Sequence, residues 1–452
     1  MTEIPSETAE APFNQAYFEQ ITALVTAEFQ VEDALIEHNV PTYFLKQPQE
    51  TKNAFLRLLE NLEKMNLIAI LRKRDGKIVL KVVRKPPTKP SNILVNWLLF
   101  FATIGTTFAT GYLISPAMIN PLISGATFTV AIMAVLGAHE MGHKLTANKR
   151  KVDSSPPYFI PGPPPVGQVF GIGTFGAVIM QKSLPRNRDA LFDIGVSGPL
   201  IGFVITVIVT FVGLALSPVV YRLPEGPFGS FPILFELVGT ALSFLGVYGR
   251  GNIILIHPVA FAGFIGMIVT MLNLLPAGML DGGHVATSIL GGKMRGILNV
   301  VAIVFLVIYG YYPMAFFVLF LSLFRHPGPL DDVSSLSKTR KYVIPVLFIV
   351  FILCGITLPP PQVHSIKVDS TVLGVTFWIQ YEESEYFRSS TPWESTLAEG
   401  TYFILVNSTI TIGGKVYTFL RWEDGSIDLN RTVTLNQDMV IFANYTMSAP
   451  LV

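Results

Sequence analysis

The feature that most restricts the fold is a long stretch without formal charge. Residues 91–138 contain no Asp, Glu, Lys or Arg. A membrane-spanning helix needs about 20 consecutive apolar residues, so this stretch is long enough to cross a bilayer more than once. The whole chain is also apolar, because 50% of its 452 residues are hydrophobic and only 14% are charged. The sequence therefore predicts a polytopic α-helical membrane protein.

Net charge and cysteine content exclude some kinds of partner and of site. The formal net charge is +1, and there is no dense basic face, so we expect no nucleic-acid partner. The single cysteine, Cys354, lies in an apolar run, so neither a disulfide framework nor a cysteine-rich zinc site is expected. The acidic N-terminus is not followed at once by an apolar segment, so we do not expect a signal peptide.

Hydropathy predicts seven spans. Their approximate bounds are 92–114, 122–145, 190–216, 253–278, 297–311, 312–325 and 341–358. The region around 296–325 is divided into two short spans because Pro313 interrupts it. As one helix it would be ~43 Å long, more than the ~30 Å that the hydrocarbon core requires.

Lys and Arg predict the orientation, since they concentrate in cytoplasmic loops. Three basic residues precede the first span: Arg84, Lys85 and Lys89. Six more lie between the second and third spans: Lys149, Arg150, Lys151, Lys182, Arg186 and Arg188. The loop 217–252 has only Arg222 and Arg250. We therefore expect a cell-membrane protein with a cytoplasmic N-terminus and an extracytoplasmic C-terminus.

The chain is predicted to have four parts. They are a disordered segment (1–15), a cytoplasmic α+β domain (16–90), a transmembrane core (91–360) and an extracytoplasmic all-β domain (361–452). In the second part, helical spacing of apolar residues over 50–64 predicts an amphipathic helix. The pair Asp75-Gly76 between apolar runs predicts a hairpin. A generic accessory fold is favoured there over a regulatory or ligand-sensing one.

Short β-rich runs divided by turn residues predict a β-sandwich at the C-terminal end. The runs are 372–379, 401–406, 409–412, 417–422 and 440–445. Three Asn-x-Ser/Thr sequons lie in this part: Asn407, Asn430 and Asn444. Their confinement to the side predicted to be outside agrees with the topology.

The motif His-Glu-Met-Gly-His occupies residues 139–143, at the end of a predicted span. On a helix, His139 and His143 lie one turn apart on one face, so both imidazoles can bind one metal ion. Glu140 lies beside them, where it can act as the general base that activates the attacking water. Ionisable residues inside a membrane are costly and usually functional, so a catalytic zinc site is favoured over surface histidines.

A catalytic zinc site needs a third protein ligand. Asp281 is the best candidate, because it follows a nearly charge-free span whose cytoplasmic end is level with residues 139–143. Pro276, Gly278, Gly282 and Gly283 predict a broken helix around it. Irregular backbone at membrane depth is tolerated only where protein or a watery cavity covers it. His284 is the competing ligand.

Two motifs together resemble the site-2 protease family of intramembrane zinc metalloproteases. They are HExxH at residues 139–143 and NxxPxxxLDG at residues 273–282. Further segments resemble an archaeal, bacterial and chloroplast subgroup of that family: 156–161, 173–176, 198–200, 257–258, and 326–327 followed by 331–332. The resemblance covers roughly residues 90–335.

The resemblance implies a role for five residues. His139 and His143 are implied as zinc ligands, Glu140 as the general base and Asp281 as the third ligand. Asn273 is implied near the metal as a catalytic residue that hydrogen-bonds the substrate carbonyl. Its alternative role is to tie the broken helix together.

Residues 166–181 are apolar and glycine-rich and lie between two spans. Segments 168–170 and 177–180 are predicted to form a hairpin that dips into the membrane. A free strand edge there could hold an unwound transmembrane substrate by β-augmentation. The alternative is a re-entrant loop with a purely structural role.

Two further histidines have ordinary interpretations. His257, early in the fourth span, is expected to pack or gate rather than to bind metal. His326, with Asp331 and Asp332, is expected to cap and pack a cytoplasmic loop.

The sequence thus predicts an intramembrane zinc endopeptidase that cleaves transmembrane segments of membrane-anchored substrate proteins within the lipid bilayer. The alternative is a metal-binding membrane transporter, for which broken helices and intramembrane His and Asp are also typical. The spans show no evident inverted repeat, however, and Glu140 is not needed to carry an ion. A catalytically silent scaffold is disfavoured because every motif position is filled.

Overall fold

The computed structural model describes most of the chain between residues 15 and 447. The described ranges are 15–88, 90–116, 118–166, 171–220, 229–247, 253–291, 294–322, 328–360, 362–382 and 384–447. Within these ranges the chain forms twelve helices and seventeen strands. The predictions for residues 1–14, for segment 168–170, for Lys89 and for His326 lie outside the described residues.

Residues 15–84 form an antiparallel sheet with two helices. The elements are α1 (Gln15–Glu28), β1 (Val31–Glu37), β2 (Val40–Leu45), α2 (Lys52–Glu63), β3 (Leu67–Arg74) and β4 (Lys77–Arg84), and the strand order is β1-β2-β4-β3. α2 lies where the apolar spacing predicts a helix and buries Phe55, Leu58 and Leu62. The predicted turn joins β3 to β4, where Asp75 and Gly76 both have positive φ, as a type I′ turn requires.

Three helices of the described residues are long and apolar enough to cross a membrane. They are α3 (Ile93–Leu113), α4 (Pro121–Lys149) and α5 (Arg188–Ala215). An asparagine precedes each one, and its side chain accepts hydrogen bonds from backbone N–H groups of the first turn: Asn92, Asn120 and Asn187. These helices coincide with the first three predicted spans, because a long apolar run is a local signal.

The remaining helices of the described core are shorter. They are α6 (Ile233–Phe244), α7 (Pro258–Leu274), α8 (Asp281–Leu290), α9 (Arg295–Ile308), α10 (Tyr312–Ser322), α11 (Lys338–Lys341) and α12 (Ile344–Gly355). Strands β7 (Val219–Val220) and β8 (Ile253–Ile254) pair between α5 and α7. The sequence did not predict α6. The described residues contain three helices that are long and apolar enough to cross a membrane. The predicted total of seven crossings therefore stays a prediction.

The apolar run 296–325 is interrupted as predicted, but the break lies before Pro313. α9 ends at Ile308, and the chain turns at Gly310, which has a φ of 78°. α10 begins at Tyr312, so Pro313 occupies its first turn, where a missing N–H costs no helical hydrogen bond. The glycine therefore makes the break, and the proline starts the next helix.

Small residues bring α5 into close contact with its neighbours. A Cβ on Gly263 of α7 would lie 2.3 Å from Oγ1 of Thr210 on α5, and one on Gly213 of α5 would lie 2.1 Å from the backbone nitrogen of Ala260. On α4, a Cβ on Gly142 would lie 2.7 Å from a carbonyl oxygen of α5. Small residues allow such close approach of helix backbones inside a membrane. α5 thus packs closely against both α4 and α7.

A two-stranded hairpin lies along α3. Its strands are β5 (Tyr158–Pro161) and β6 (Thr174–Val178). Asn96 of α3 donates to the carbonyl of Pro157 at 2.9 Å, and Thr106 donates to the carbonyl of Gly173 at 2.6 Å. The stretch of α3 between these two residues is ~15 Å long. The hairpin therefore lies along one of the three long apolar helices, and β6 pairs with residues 158–161. Its position in the membrane stays a prediction.

The C-terminal residues form two sheets around one apolar core. The strands are β9 (Val363–Ser370), β10 (Thr376–Tyr381), β11 (Phe387–Ser390), β12 (Trp393–Ala398), β13 (Gly400–Val406), β14 (Thr409–Ile412), β15 (Lys415–Trp422), β16 (Asn430–Leu435) and β17 (Met439–Met447). Their orders are β11-β10-β13-β16 and β12-β9-β17-β15-β14. Both sheets contribute to a buried cluster that includes Phe377, Tyr402 and Trp422. The strand expected from residue 372 begins at Thr376, because Gly374 turns the chain with a φ of 81°.

Candidate metal centre

The structure brings His139, His143 and Asp281 together. Nε2 of His139 lies 3.1 Å from Oδ2 of Asp281, and Nε2 of His143 lies 3.2 Å from the same oxygen. The two Nε2 atoms are 3.2 Å apart. Both histidines are buried, with 4% and 5% of their surface exposed. Two ring nitrogens and a carboxylate oxygen thus form a nearly equilateral triangle away from bulk water.

The dimensions of this triangle fit a tetrahedral metal ion. Zinc binds His nitrogen and carboxylate oxygen at about 2.0–2.2 Å, so neighbouring ligand atoms in a tetrahedron are ~3.3–3.5 Å apart. The three observed separations of 3.1–3.2 Å are close to that value. Two His and one carboxylate also match the donor set of catalytic zinc sites, which leave a fourth position open. Among the described residues, these three form the group with metal-binding geometry.

Asp281 reaches the triangle because the chain is broken between α7 and α8. α7 ends at Leu274, before Pro276, and Asp281 is the first residue of α8. The loop is compact, since a Cβ on Gly282 would lie 2.2 Å from the carbonyl oxygen of Leu274. The predicted break therefore folds tightly back on α7 and presents the carboxylate to α4. His284, the competing ligand, is outside the triangle and packs against Gly195 of α5.

Two residues of α5 fix His143. Nδ1 of His143 lies 2.7 Å from the carbonyl oxygen of Ile194. A carbonyl only accepts, so Nδ1 carries the proton and Nε2 keeps its lone pair toward the triangle. Gly198 lies under the ring, where a Cβ would be 2.1 Å from Nε2. The sequence prediction did not identify either role, although residues 198–200 belong to the segments that resemble the family.

Glu140 and Asn273 border the triangle. Glu140 is 6% exposed, and its Oε1 lies 4.0 Å from Nε2 of His139. Ile179, just after β6, lies near the Glu140 carboxylate. Nδ2 of Asn273, in the last turn of α7, lies 3.4 Å from Nε2 of His139. All five predicted residues therefore meet at one place.

The other polar residues singled out in the sequence serve local structure. His257 caps α7, since its Nδ1 accepts from the backbone N–H of Val259 at 3.1 Å. Asp331 caps a loop, since its Oδ1 accepts from the backbone N–H groups of Val333 and Ser334, both at 2.9 Å. The packing interpretation of both residues agrees with these contacts.

Comparison with known proteins gives an independent result. Residues 127–309 match the sequence model described as peptidase family M50. This range contains the five residues of the metal centre. No solved structure matches the chain significantly.

Curated relatives carry protease names. The "Probable zinc metalloprotease EGY2, chloroplastic" of Oryza sativa subsp. indica is 27% identical over 305 residues, which are 64% of this chain and 54% of the relative. The protein of that name from Arabidopsis thaliana is 30% identical over 237 residues, or 50% of this chain and 40% of the relative. The "Probable zinc metalloprotease EGY1, chloroplastic" of Arabidopsis thaliana is 26% identical over 311 residues, or 61% and 55%.

The chain thus spans about half the length of the curated relatives that it matches. None of these three is named as a transporter, so the transporter alternative gains no support. The matched range, the two sequence motifs and the names of the relatives all indicate similarity to zinc metallopeptidases. Residues 127–309 of this chain are therefore similar to peptidase family M50 and to relatives named zinc metalloproteases.

Proposed function

We propose that this protein is an intramembrane zinc metalloendopeptidase that cleaves transmembrane segments of membrane-anchored substrate proteins. The observation that carries the proposal is the triangle of two buried histidines, His139 and His143, with Asp281, which has Glu140 beside it and lies among long apolar helices. The match of residues 127–309 to the model of peptidase family M50, and the relatives named zinc metalloproteases, support it.

His139, His143 and Asp281 would hold the zinc ion. When bound, zinc supplies Lewis acidity, which lowers the pKa of water and polarises the scissile carbonyl. Glu140 accepts the proton of the attacking water and returns it to the leaving amine, as a general base and then a general acid. Burial of His139, His143 and Glu140, with the Asp281 side chain only 15% exposed, limits the access of bulk water to the reacting groups.

Asn273 is proposed as a substrate-binding residue. Its Nδ2 is within 3.4 Å of His139 Nε2, so the amide group lies at the rim of the triangle. An amide N–H at this place can donate to the oxygen that gains charge during attack on the carbonyl. Replacing Asn273 with Asp keeps the shape but removes this donor. We expect lower kcat with unchanged zinc content, whereas unchanged kcat would favour the purely structural role.

β6 is proposed to hold the substrate. A transmembrane helix must unwind before its backbone can be cleaved, and the outer edge of a strand can bind extended backbone. β5 pairs with one edge of β6, and Ile179, just beyond β6, lies near Glu140. Deleting Ala177 and Val178 should therefore abolish cleavage while zinc content stays the same. Full cleavage by the deletion variant would contradict this role.

The orientation and domain division are also proposals. We place the N-terminal residues 16–90 in the cytoplasm, the core 91–360 in the membrane with seven crossings, and residues 361–452 outside. The strand-rich C-terminal region and the distribution of Lys and Arg support this arrangement. Glycosylation at Asn407 or Asn444 after expression in a eukaryotic host is the expected result. The proposed orientation would be contradicted if neither asparagine were glycosylated and the C-terminus were labelled from the cytoplasm.

The central experiment is the substitution Glu140→Gln. We expect the variant to bind zinc as the wild type does, because Glu140 is not one of the three ligands. Cleavage of a model transmembrane substrate should be lost. Glu236→Gln is the matched control, since it makes the same change in the apolar helix α6. Equal cleavage by wild type and Glu140→Gln would contradict the proposed mechanism.

A further inference from the structure

Two carboxylates lie in the first turns of α5, one turn apart. Asp189 accepts from the backbone N–H of Ser337 at 2.9 Å and from its hydroxyl at 2.6 Å. Asp193 binds Arg340 in a two-point contact of 2.7 and 2.8 Å, and Arg150 also contacts it. Arg340 spans both carboxylates, since it lies 3.0 Å from Asp189. The start of α5 is therefore held by several charged contacts.

The N-terminal region provides one of these contacts. Nζ of Lys52, the first residue of α2, lies 3.1 Å from Oδ2 of Asp189, and the side chains are 23% and 11% exposed. It also donates to the hydroxyl of Ser337 at 2.9 Å. A partly buried pair with several partners is stronger than a surface ion pair, whose contribution is usually small.

Further contacts hold the N-terminal region in the same place. The backbone N–H of Leu71 on β3 donates to the carbonyl of Leu330 at 2.9 Å, and Leu330 is part of the apolar core of residues 15–84. Thr51 and Ser334 form a buried hydroxyl contact of 2.9 Å. Arg186, just before α5, binds both carboxylate oxygens of Glu63 at 2.7 and 2.8 Å. α2 is thus attached to the core at both of its ends.

The start of α5, which Lys52 contacts, also orients a residue of the metal centre. Ile194, which follows Asp193, accepts the hydrogen bond from His143 Nδ1 at 2.7 Å. The path from the N-terminal region to the metal centre is therefore short: Lys52 binds Asp189, and the next turn of the helix carries the carbonyl that sets the ring of His143. Partners that orient a ligand in this way commonly change metal affinity 10–100-fold when lost.

We propose that the N-terminal region positions the metal centre, and that Lys52 is a positioning residue that acts through Asp189 and Ile194 on His143. The inference rests on the proposed zinc site. Release of Lys52 from Asp189 loosens the first turns of α5 and lets the ring of His143 turn away from the triangle. Any partner that competes for the Lys52 contact then lowers zinc affinity and activity together.

The experiment compares full-length Lys52→Met, Lys52→Arg and Arg57→Met. Lys52→Met keeps the aliphatic stem but removes the charge, and Lys52→Arg restores it. Arg57→Met is the control: it removes a cation from the same helix, whose 2.8 Å pair with Glu28 is away from α5. The measurements are zinc affinity by chelator competition, and the visible spectrum of the cobalt(II) form, which reports ligand geometry.

We expect zinc affinity to fall about tenfold in Lys52→Met, with a changed cobalt spectrum, and to recover in Lys52→Arg. Arg57→Met should match the wild type. Equal affinity and spectrum in Lys52→Met and wild type would overturn the inference. If Lys52→Met does not fold, Ser337→Ala, which removes the 2.6 Å hydroxyl contact to Asp189, is judged by the same criteria. A wild-type protein that binds no zinc would instead contradict the proposed function.

Discussion

Gly198→Ala offers a sharp test of the metal centre, because it adds one methyl group directly under His143. The new Cβ would lie 2.1 Å from Nε2 and 2.5 Å from Cε1 of the ring. Ordinary contacts between such atoms begin at ~3.4–4 Å, so the ring must move by more than ~1 Å. The bond from Nδ1 to the carbonyl of Ile194 limits the directions in which it can move. The displaced Nε2 therefore leaves the triangle.

The expected effect is loss of one zinc ligand. A triangle with edges of 3.1–3.2 Å does not tolerate a shift of more than ~1 Å at one corner, since ligand distances in zinc sites vary by only ~0.2 Å. We expect zinc affinity to fall at least ~100-fold, equivalent to ~2.7 kcal/mol. Folding should survive, because alanine is favoured over glycine in a helix by ~1 kcal/mol, which offsets part of the ~1–3 kcal/mol overpacking cost.

Three Gly→Ala substitutions whose new Cβ atoms would lie at increasing distances from their neighbours provide the control for this prediction and the result that would refute it. Gly202→Ala would place a Cβ 3.1 Å from Nδ1 of His139, a contact that a small adjustment can relieve, and Gly105→Ala meets nothing within 4 Å. The assay is zinc competition with a chelator in detergent, together with thermal unfolding. The expected order of loss is Gly198→Ala, then Gly202→Ala, then Gly105→Ala with none. Wild-type zinc affinity in folded Gly198→Ala would refute the geometry of the site.

Three further predictions concern the support of the site. Asn299→Ala removes the acceptor, 2.8 Å from the backbone N–H of Gly278, that holds the loop before Asp281; chelator competition should show weaker zinc binding, and a stability loss of ~1–3 kcal/mol should appear in unfolding. Chelation of zinc from wild type should lower its unfolding temperature, because a ligand at 1,000 times its Kd stabilises by ~4 kcal/mol, whereas an unchanged temperature would indicate no bound metal. Gly263→Val should separate α7 from α5 and reduce both stability and cleavage, whereas Gly239→Val, open to its surroundings, should do neither, as melting and cleavage assays can show.

Much of the site was predictable because its signals are local. Two histidines one turn apart need only a helix to share a face, and α4 is helical throughout that stretch. Asp281 follows Pro276 and Gly278, which predict a break in the helix within an otherwise apolar region. The first three spans were equally clear, because a long apolar run is a property of neighbouring residues alone.

The parts that were not predicted depend on distant contacts. α6 is only twelve residues long and contains Glu236, so hydropathy over a full span does not detect it. The partner of β6 is set by the pairing with residues 158–161, which a strand pattern does not specify. Gly198 is required because the ring of His143 lies over it. Lys52 binds Asp189, which is 137 positions away in the sequence. No local pattern contains such information.

The most direct test of intramembrane proteolysis is the position of the cut. Purified full-length protein, reconstituted in lipid with a single-span substrate, is incubated and the products are identified by mass spectrometry. The account predicts new termini within the apolar segment of the substrate, formed by wild type and absent with Glu140→Gln. An intact substrate, or termini confined to its hydrophilic flanks, would contradict it.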